Sequence, residues 1–254
     1  MTRVGSSKAA LARSLRVYHG DAGRSALMDA LYAQFLKAGD LAFDIGAHVG
    51  DRISCFRRLG ARVVALEPQP GPARVIRVIH ARDPDVILLQ AAAGEREGEI
   101  TLRVNSANPS VSTASDEFIR AAAGAGGWEG QVWDHAIAVP CLTLDRLIAE
   151  HGRPAFIKID VEGFEDRVLA GLSQAVPALS FEFTTIARDV AQRCLDRLGA
   201  LGPYRFDVAL GESQRLEFQR WVNLDHMSAY LRELPHEANS GDVYAVLSPP
   251  ASSR

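Results

Sequence analysis

Two short stretches place acids where buried apolar runs end. FDIGAHVGD begins at Phe43. Asp44 stands in its apolar run, and Gly46, Ala47, His48, Val49 and Gly50 follow closely. FIKIDVEGFE begins at Phe156, and in it Lys158, Asp160 and Glu162 alternate with Ile157, Ile159 and Val161. Glycines after a strand let backbone approach a ligand closely. Such turns often receive a phosphate, yet Asp44 would repel one. Two like charges close together in a partly buried site cost on the order of several kcal/mol.

The ligand that suits the first stretch therefore has no phosphate. Glu67, followed by Pro68, closes the next apolar run. A carboxylate there can accept both hydroxyls of a ribose. The turn reads G-x-x-x-G, not the G-x-G-x-x-G that receives a pyrophosphate. S-adenosylmethionine meets these demands: it carries a sulfonium and an ammonium beside its carboxylate. Asp44 would hold the cationic end, and backbone N–H groups of the turn would meet the carboxylate. The expected cofactor residues are Asp44, Gly46, Ala47, His48, Gly50, Glu67 and Pro68, with Gln90 and Ala91 along the adenine and Asp160 across the sheet.

The second stretch raises a question of charge. Period-two geometry points Lys158, Asp160 and Glu162 to one side of a strand. A strand covered on both faces needs partners or water for such groups. Lys158 is expected to neutralise Asp160 or Glu182, which lies between phenylalanines in LSFEFT. Asp160, Glu162 and Glu182 are the catalytic candidates. Carboxylates at strand ends can orient an acceptor hydroxyl, take its proton, or hold a divalent metal through oxygen ligands. The sequence does not choose among these roles, and no metal is established by it. His48 is a lesser candidate for the base. Trp128 and Trp133 could either wall an acceptor or anchor their loop.

The elements that must position these groups alternate. LAFDIGA, ARVVALEP and DVILLQAAA read as strands, separated by helices over RISCFRRLG and GPARVIRVIHARD. After GEITLRVN, residues 105–135 read as a long irregular insertion. Strand and helix then resume, and YRFDVAL and GDVYAVL are late strands. Nearly continuous apolar strands alternating with helices imply a mostly parallel sheet flanked by helices, an α/β Rossmann-like fold. The late strands complete the same sheet, one of them antiparallel. The expected organisation is an N-terminal helical arm or cap over 1–38, the Rossmann-like domain over 39–248, and a disordered tail over 249–254. A helix is expected from about Ser25 to Lys37.

The bulk numbers exclude several partners. The chain has 254 residues, 23% of them charged, and a net charge of −3, so no basic field favours nucleic acid. Three cysteines far apart suit buried thiols in a reducing cytoplasm, not a disulfide or zinc framework. No run approaches the ~18 apolar residues of a membrane span, and the basic N-terminus has no continuous apolar stretch for a secretion signal. Its helical pattern would pack on the domain or on a partner subunit, which leaves a homo-oligomer open.

FDIGAHVGD, VVALEP, QAAAGEREGEITL, TLDRL and IKIDVEGFEDRVLAG occur in that order. Together they resemble the FkbM family of S-adenosylmethionine-dependent methyltransferases, and the last block is the most specific part. The resemblance implies a class I methyltransferase fold and O-methylation of a hydroxyl on a small molecule, a natural product or sugar. By position it makes Asp44, Gly46, Gly50 and Glu67 cofactor residues and Asp160, Glu162 and Glu165 signature acids. The family usually has Asn where this chain has His48. Two alternatives remain: a nucleotide-dependent oxidoreductase, and a non-catalytic module that binds S-adenosylmethionine.

Overall fold

The structure, a computed structural model, describes residues 3–248, with side chains from residue 8 onward. The tail expected over 249–254 lies outside the described residues. The described residues form ten strands: β1 Leu41–Ile45, β2 Arg62–Leu66, β3 Val86–Leu89, β4 Ala92–Ala93, β5 Gly98–Val104, β6 His135–Leu142, β7 Phe156–Ile159, β8 Ala178–Thr184, β9 Tyr204–Leu210 and β10 Ser240–Leu247. The helices are α1 Arg3–His19, α2 Ala22–Tyr32, α3 Asp51–Arg58, α4 Pro70–Ile79, α5 Asp116–Ala122, α6 Leu144–His151, α7 Glu165–Ala170, α8 Arg188–Leu201 and α9 Leu224–Glu233.

Seven strands form the main sheet in the order β3-β2-β1-β7-β8-β10-β9. The pairs from β3 to β8 are parallel, and β10 runs antiparallel to both β8 and β9. Successive residues of a strand enter different cores. Phe43 and Ile45 pack with Leu147, Leu169, Leu195 and Met227 on the α6–α9 side. Ala42 packs with Tyr32, Phe56 and Ile76 on the α2–α4 side. This two-sided burial explains the near-continuous apolar runs. The strand order reverses between β1 and β7, which opens a crevice at the carboxyl ends of the strands.

Three local readings need correction. The run DVILLQAAA is not one strand: β3 stops at Leu89, opposite Leu66. There β2 ends, so the next residues have no neighbour in the main sheet. Ala92 and Ala93 pair instead with Cys141 and Leu142, in a separate three-stranded sheet of order β4-β6-β5. The second helix starts earlier than Ser25, because Asp21 caps it by accepting from Gly23 N and Arg24 N, and it ends at Tyr32 rather than Lys37.

The third correction concerns the insertion at 105–135, which is ordered around its own apolar cluster of Val111, Phe118, Ala122 and Trp128. Ser115 caps α5 by accepting from Phe118 N at 3.0 Å, with Asp116 and Glu117 in the first turn as the helix dipole favours. Trp128 meets Phe118 edge-on at 5.0 Å, and Trp133 Nε1 donates to Val111 O at 2.9 Å. Both tryptophans thus anchor the loop; neither lines the crevice.

Candidate active site

A cleft opens at the carboxyl ends of β1, β2, β7 and β8. Asp44, Gly46, Ala47, His48, Glu67 and Pro68 line it on one side; Ala91 lies nearby, and Asp160, Glu162 and Glu182 line it further on. Two expected residues are absent from its walls. Gly50 caps α3 in a left-handed conformation, φ 80°, and donates to Ala47 O at 2.7 Å. Gln90 is exposed and accepts from Arg77 Nη2 at 3.0 Å. Its neighbour Ala91 is buried instead, so the chain presents the smaller side chain to the cleft.

The turn after β1 is held by β2. Gly46 N and Ala47 N donate to Leu66 O at 3.0 and 2.9 Å. A Cβ on Gly46, where φ is 89°, would lie 1.8 Å from Asp160 O, so only glycine fits between the two strand ends. Glu67 accepts from His48 N through Oε2 and from Gln69 N through Oε1, each at 2.8 Å. Burial pushes its carboxyl up to about 8, against these two donors. Each oxygen keeps acceptor capacity for a further donor.

Asp44 differs from Glu67. It is buried and its Oδ2 has no partner in the protein. Burial raises its carboxyl to about 7, with Asp51 adding to the shift and Arg52 and Lys158 opposing it. A buried carboxyl with an orphaned oxygen favours a cationic or donor group beside it. That fits the ammonium and sulfonium end of S-adenosylmethionine, as Glu67 fits its ribose. The His48 ring is buried with both nitrogens unpartnered, and burial lowers its pKa, which keeps it neutral.

The second acidic end is more crowded. β7 stops at Ile159, so the strand alternation ends before Asp160; Glu162 and Gly163 then turn the chain with φ of 56° and 81°. The turn nevertheless brings one carboxylate oxygen of each of Asp160, Glu162 and Glu182 within 4.8 Å of the others. Such a trio could offer oxygens to a hard cation. Lys158 Nζ lies 3.2 Å from Asp160 Oδ2 and 2.6 Å from Asp242 Oδ1. Burial disfavours its charge, but Asp160 and Asp242 overcome this and hold its pKa well above the ordinary value.

The carboxyl pKa values are split accordingly. Burial would raise Asp160, but Lys158 and a hydrogen bond from Glu182 bring it below its usual value. Glu162 and Glu182 are driven well up, by burial first and then by Asp160. Glu165 serves the backbone instead: its Oε1 accepts from Val161 N and Gly163 N at 3.0 and 3.2 Å. The insertion buttresses this turn. Thr113 Oγ1 donates to Glu162 O at 2.7 Å, and Phe118 packs where a Cβ on Gly163 would fall.

The model of the Methyltransferase FkbM domain matches residues 44–235. The chain belongs to the FkbM methyltransferase family. It is an S-adenosylmethionine-dependent methyltransferase with the class I fold, and the oxidoreductase alternative falls. Among solved structures, this FkbM chain is similar to a TehB-like SAM-dependent methyltransferase from Corynebacterium glutamicum, with 9% identity, 97% and 100% of the two chains covered and a TM-score of 0.51. An O-methyltransferase from Bacillus cereus in complex with SAH matches at 12% identity, 94% and 91% coverage and a TM-score of 0.47. A precorrin-6y C5,15-methyltransferase from Geobacter metallireducens matches at 14%, 88% and 87% coverage and 0.45. No curated protein matches the sequence.

Several residues that line the cleft or brace its walls escaped the sequence reading of this methyltransferase. Arg24 Nη1 and Arg52 Nη1 both meet Asp51 Oδ2, at 2.9 and 2.6 Å. Arg24 Nη2 also meets Glu212 Oε2 at 2.8 Å. Asp51 and Arg52 had a local signal, because they directly follow Gly50 at a helix start. Arg24, Glu212 and Asp242 had none, since they arrive from α2, the segment after β9, and β10.

Proposed function

We propose that this FkbM methyltransferase methylates a hydroxyl oxygen of a small molecule. The observation that carries the reading is the convergence of Asp160, Glu162 and Glu182 beside the cofactor end of the cleft. S-adenosylmethionine, when bound, supplies a methyl group already activated on sulfur. The protein is left to align the acceptor and deal with its proton, which is mainly work of positioning. Asp44 would meet the cationic end of the cofactor and Glu67 its ribose.

Asp160, kept ionised by Lys158, accepts the hydrogen bond of the acceptor hydroxyl and aims its oxygen. Glu162 and Glu182, with raised pKa values, keep their protons, so Asp160, the ionised member, receives the hydroxyl proton as the methyl group passes from sulfur to oxygen. The net charge of −3 argues against a polyanionic acceptor. No N-P-P-Y-like sequence for amino-group methylation occurs.

The test is release of S-adenosylhomocysteine from S-adenosylmethionine across a panel of hydroxylated small molecules, with and without EDTA. The expected result is an O-methyl product whose formation falls about a hundredfold in Asp160→Asn, a typical loss for a proton-handling group. S-adenosylhomocysteine affinity should be retained. A product methylated on nitrogen or carbon overturns the reading, as does unchanged turnover in Asp160→Asn. Tight cofactor binding without transfer to any acceptor favours the non-catalytic module. Loss of turnover in EDTA assigns the three carboxylates to a metal.

A further inference from the structure

Among the described residues that line the cleft, Tyr18 alone precedes residue 44, where the family domain begins. It sits near the end of α1. That helix is tied down at three places. Arg13 Nη2 donates to Ala107 O of the insertion at 2.7 Å. Leu11 packs so closely on α4 that a Cβ on Gly71 would lie 3.1 Å from its Cδ1. His19 Nε2 donates to Val49 O, in the cofactor turn itself, at 2.9 Å. The helix therefore bridges the insertion and the turn.

The ring of Tyr18 is fixed from two directions. It meets the His48 ring edge-on, with centroids 5.7 Å apart, and the Arg24 guanidinium carbon stands 5.1 Å from its centroid. Arg24 is itself held by Asp51 and Glu212. Arg52, buried beside Asp51, has an unpartnered Nε. Asp51, Arg52 and Asp160 act on both Asp44 and Tyr18, with Lys158 acting also on Asp44 and Glu212 also on Tyr18. Burial, followed by Glu212, Asp160 and Asp51, keeps the phenol protonated, so it offers an O–H donor at any physiological pH.

We infer that α1, outside the family domain, completes the cofactor pocket at its aminoacyl end, with Tyr18 packing on that end and donating to its carboxylate. This rests on the cofactor reading above. The adenosine end is left to the family domain.

Calorimetry with two probes tests the inference. S-adenosylhomocysteine carries the aminoacyl group; 5′-methylthioadenosine has the same adenosine and thioether without it. Tyr18→Ala should weaken S-adenosylhomocysteine about tenfold, the size of a hydrogen bond with its packing. It should leave 5′-methylthioadenosine within about twofold, well under the 1.4 kcal/mol of a tenfold change. Tyr18→Phe, which keeps the ring, should lose about threefold on the first probe only, the lower range of a single hydrogen bond. It decides the matter if the alanine variant does not fold. Equal losses on both probes, or no loss on S-adenosylhomocysteine, overturn the inference. Wild-type protein that binds neither probe overturns the cofactor reading itself.

Discussion

Asp44 and Glu67 stand at the ends of β1 and β2, and Asp160, Glu162 and Glu182 at the ends of β7 and β8. The first pair is managed by the backbone. Glu67 is gripped by two N–H groups of adjacent segments, and Asp44 is left with an open oxygen. The trio is managed by charge. Its members crowd within reach of one another, and a buried lysine shared with Asp242 decides which one stays ionised. Backbone donors hold a carboxylate without adding charge, so the first end is ready for a cation brought by the ligand. The second end already contains its cation, and its acids are poised against each other to handle a proton. The two ends touch at Gly46, whose Cα faces Asp160 O.

The largest expected effect tests the charge-managed end. Lys158→Met leaves Asp160 and the buried Asp242 without their cation, and breaking a buried pair on one side costs about 3–5 kcal/mol. Urea unfolding should show this loss, greater at pH 8 than at pH 5 because protonation relieves the stranded carboxylates. A second change, Asp242→Leu, should recover part of it. Wild-type stability in Lys158→Met would mean that the lysine does not govern this end.

Asp44→Asn addresses the backbone-managed end and should have the opposite sign for folding. S-adenosylhomocysteine affinity should fall about a hundredfold, or roughly 2.7 kcal/mol. The unliganded protein should gain stability at high pH. The folded carboxyl titrates near 7, whereas an unfolded aspartate titrates near 3.9, as model peptides do. Between those values the folded state keeps a proton that the unfolded chain has released. Wild-type stability therefore falls as pH rises from about 4 to about 7. The asparagine variant should show a shallower fall, with Glu67, raised to about 8, still contributing in the same direction. Identical pH profiles would show that Asp44 is solvated rather than orphaned.

The smallest effect separates the ends most finely. Thr113→Val removes the donor to Glu162 O at a cost of about 1–2 kcal/mol, as for one buried hydrogen bond. Turnover should fall through displacement of Glu162, while S-adenosylhomocysteine affinity should hold. A loss of cofactor affinity equal to the loss of turnover would mean that the insertion supports both ends alike.

Where neighbours in sequence are also neighbours in space, the site was legible. The glycine turn after β1, Glu67 ending β2 and the acids after β7 each lie within a few residues of the strand that aims them. The choice between Gln90 and Ala91 stayed open because a strand end does not say which of two successive residues faces inward; Ala91 is the buried one. The insertion misled because its small and polar residues hide a four-residue core of Val111, Phe118, Ala122 and Trp128 spread along the segment. Its cap, Ser115 before Asp116 and Glu117, was a readable sign of a helix.

By itself the sequence determined the alternation of strand and helix, the phosphate-free character of the first turn and the presence of acids across the sheet. These follow from local periodicity and from the chemistry of single motifs. Only the tertiary structure decided that Asp242 shares Lys158, that Arg24 bridges Asp51 and Glu212, and that Tyr18 reaches the cleft. Each joins groups far apart along the chain, and such contacts depend on strand order and helix docking. Electrostatics in a buried site depends on distance in space, so the protonation of each acid was settled only when those distant partners arrived.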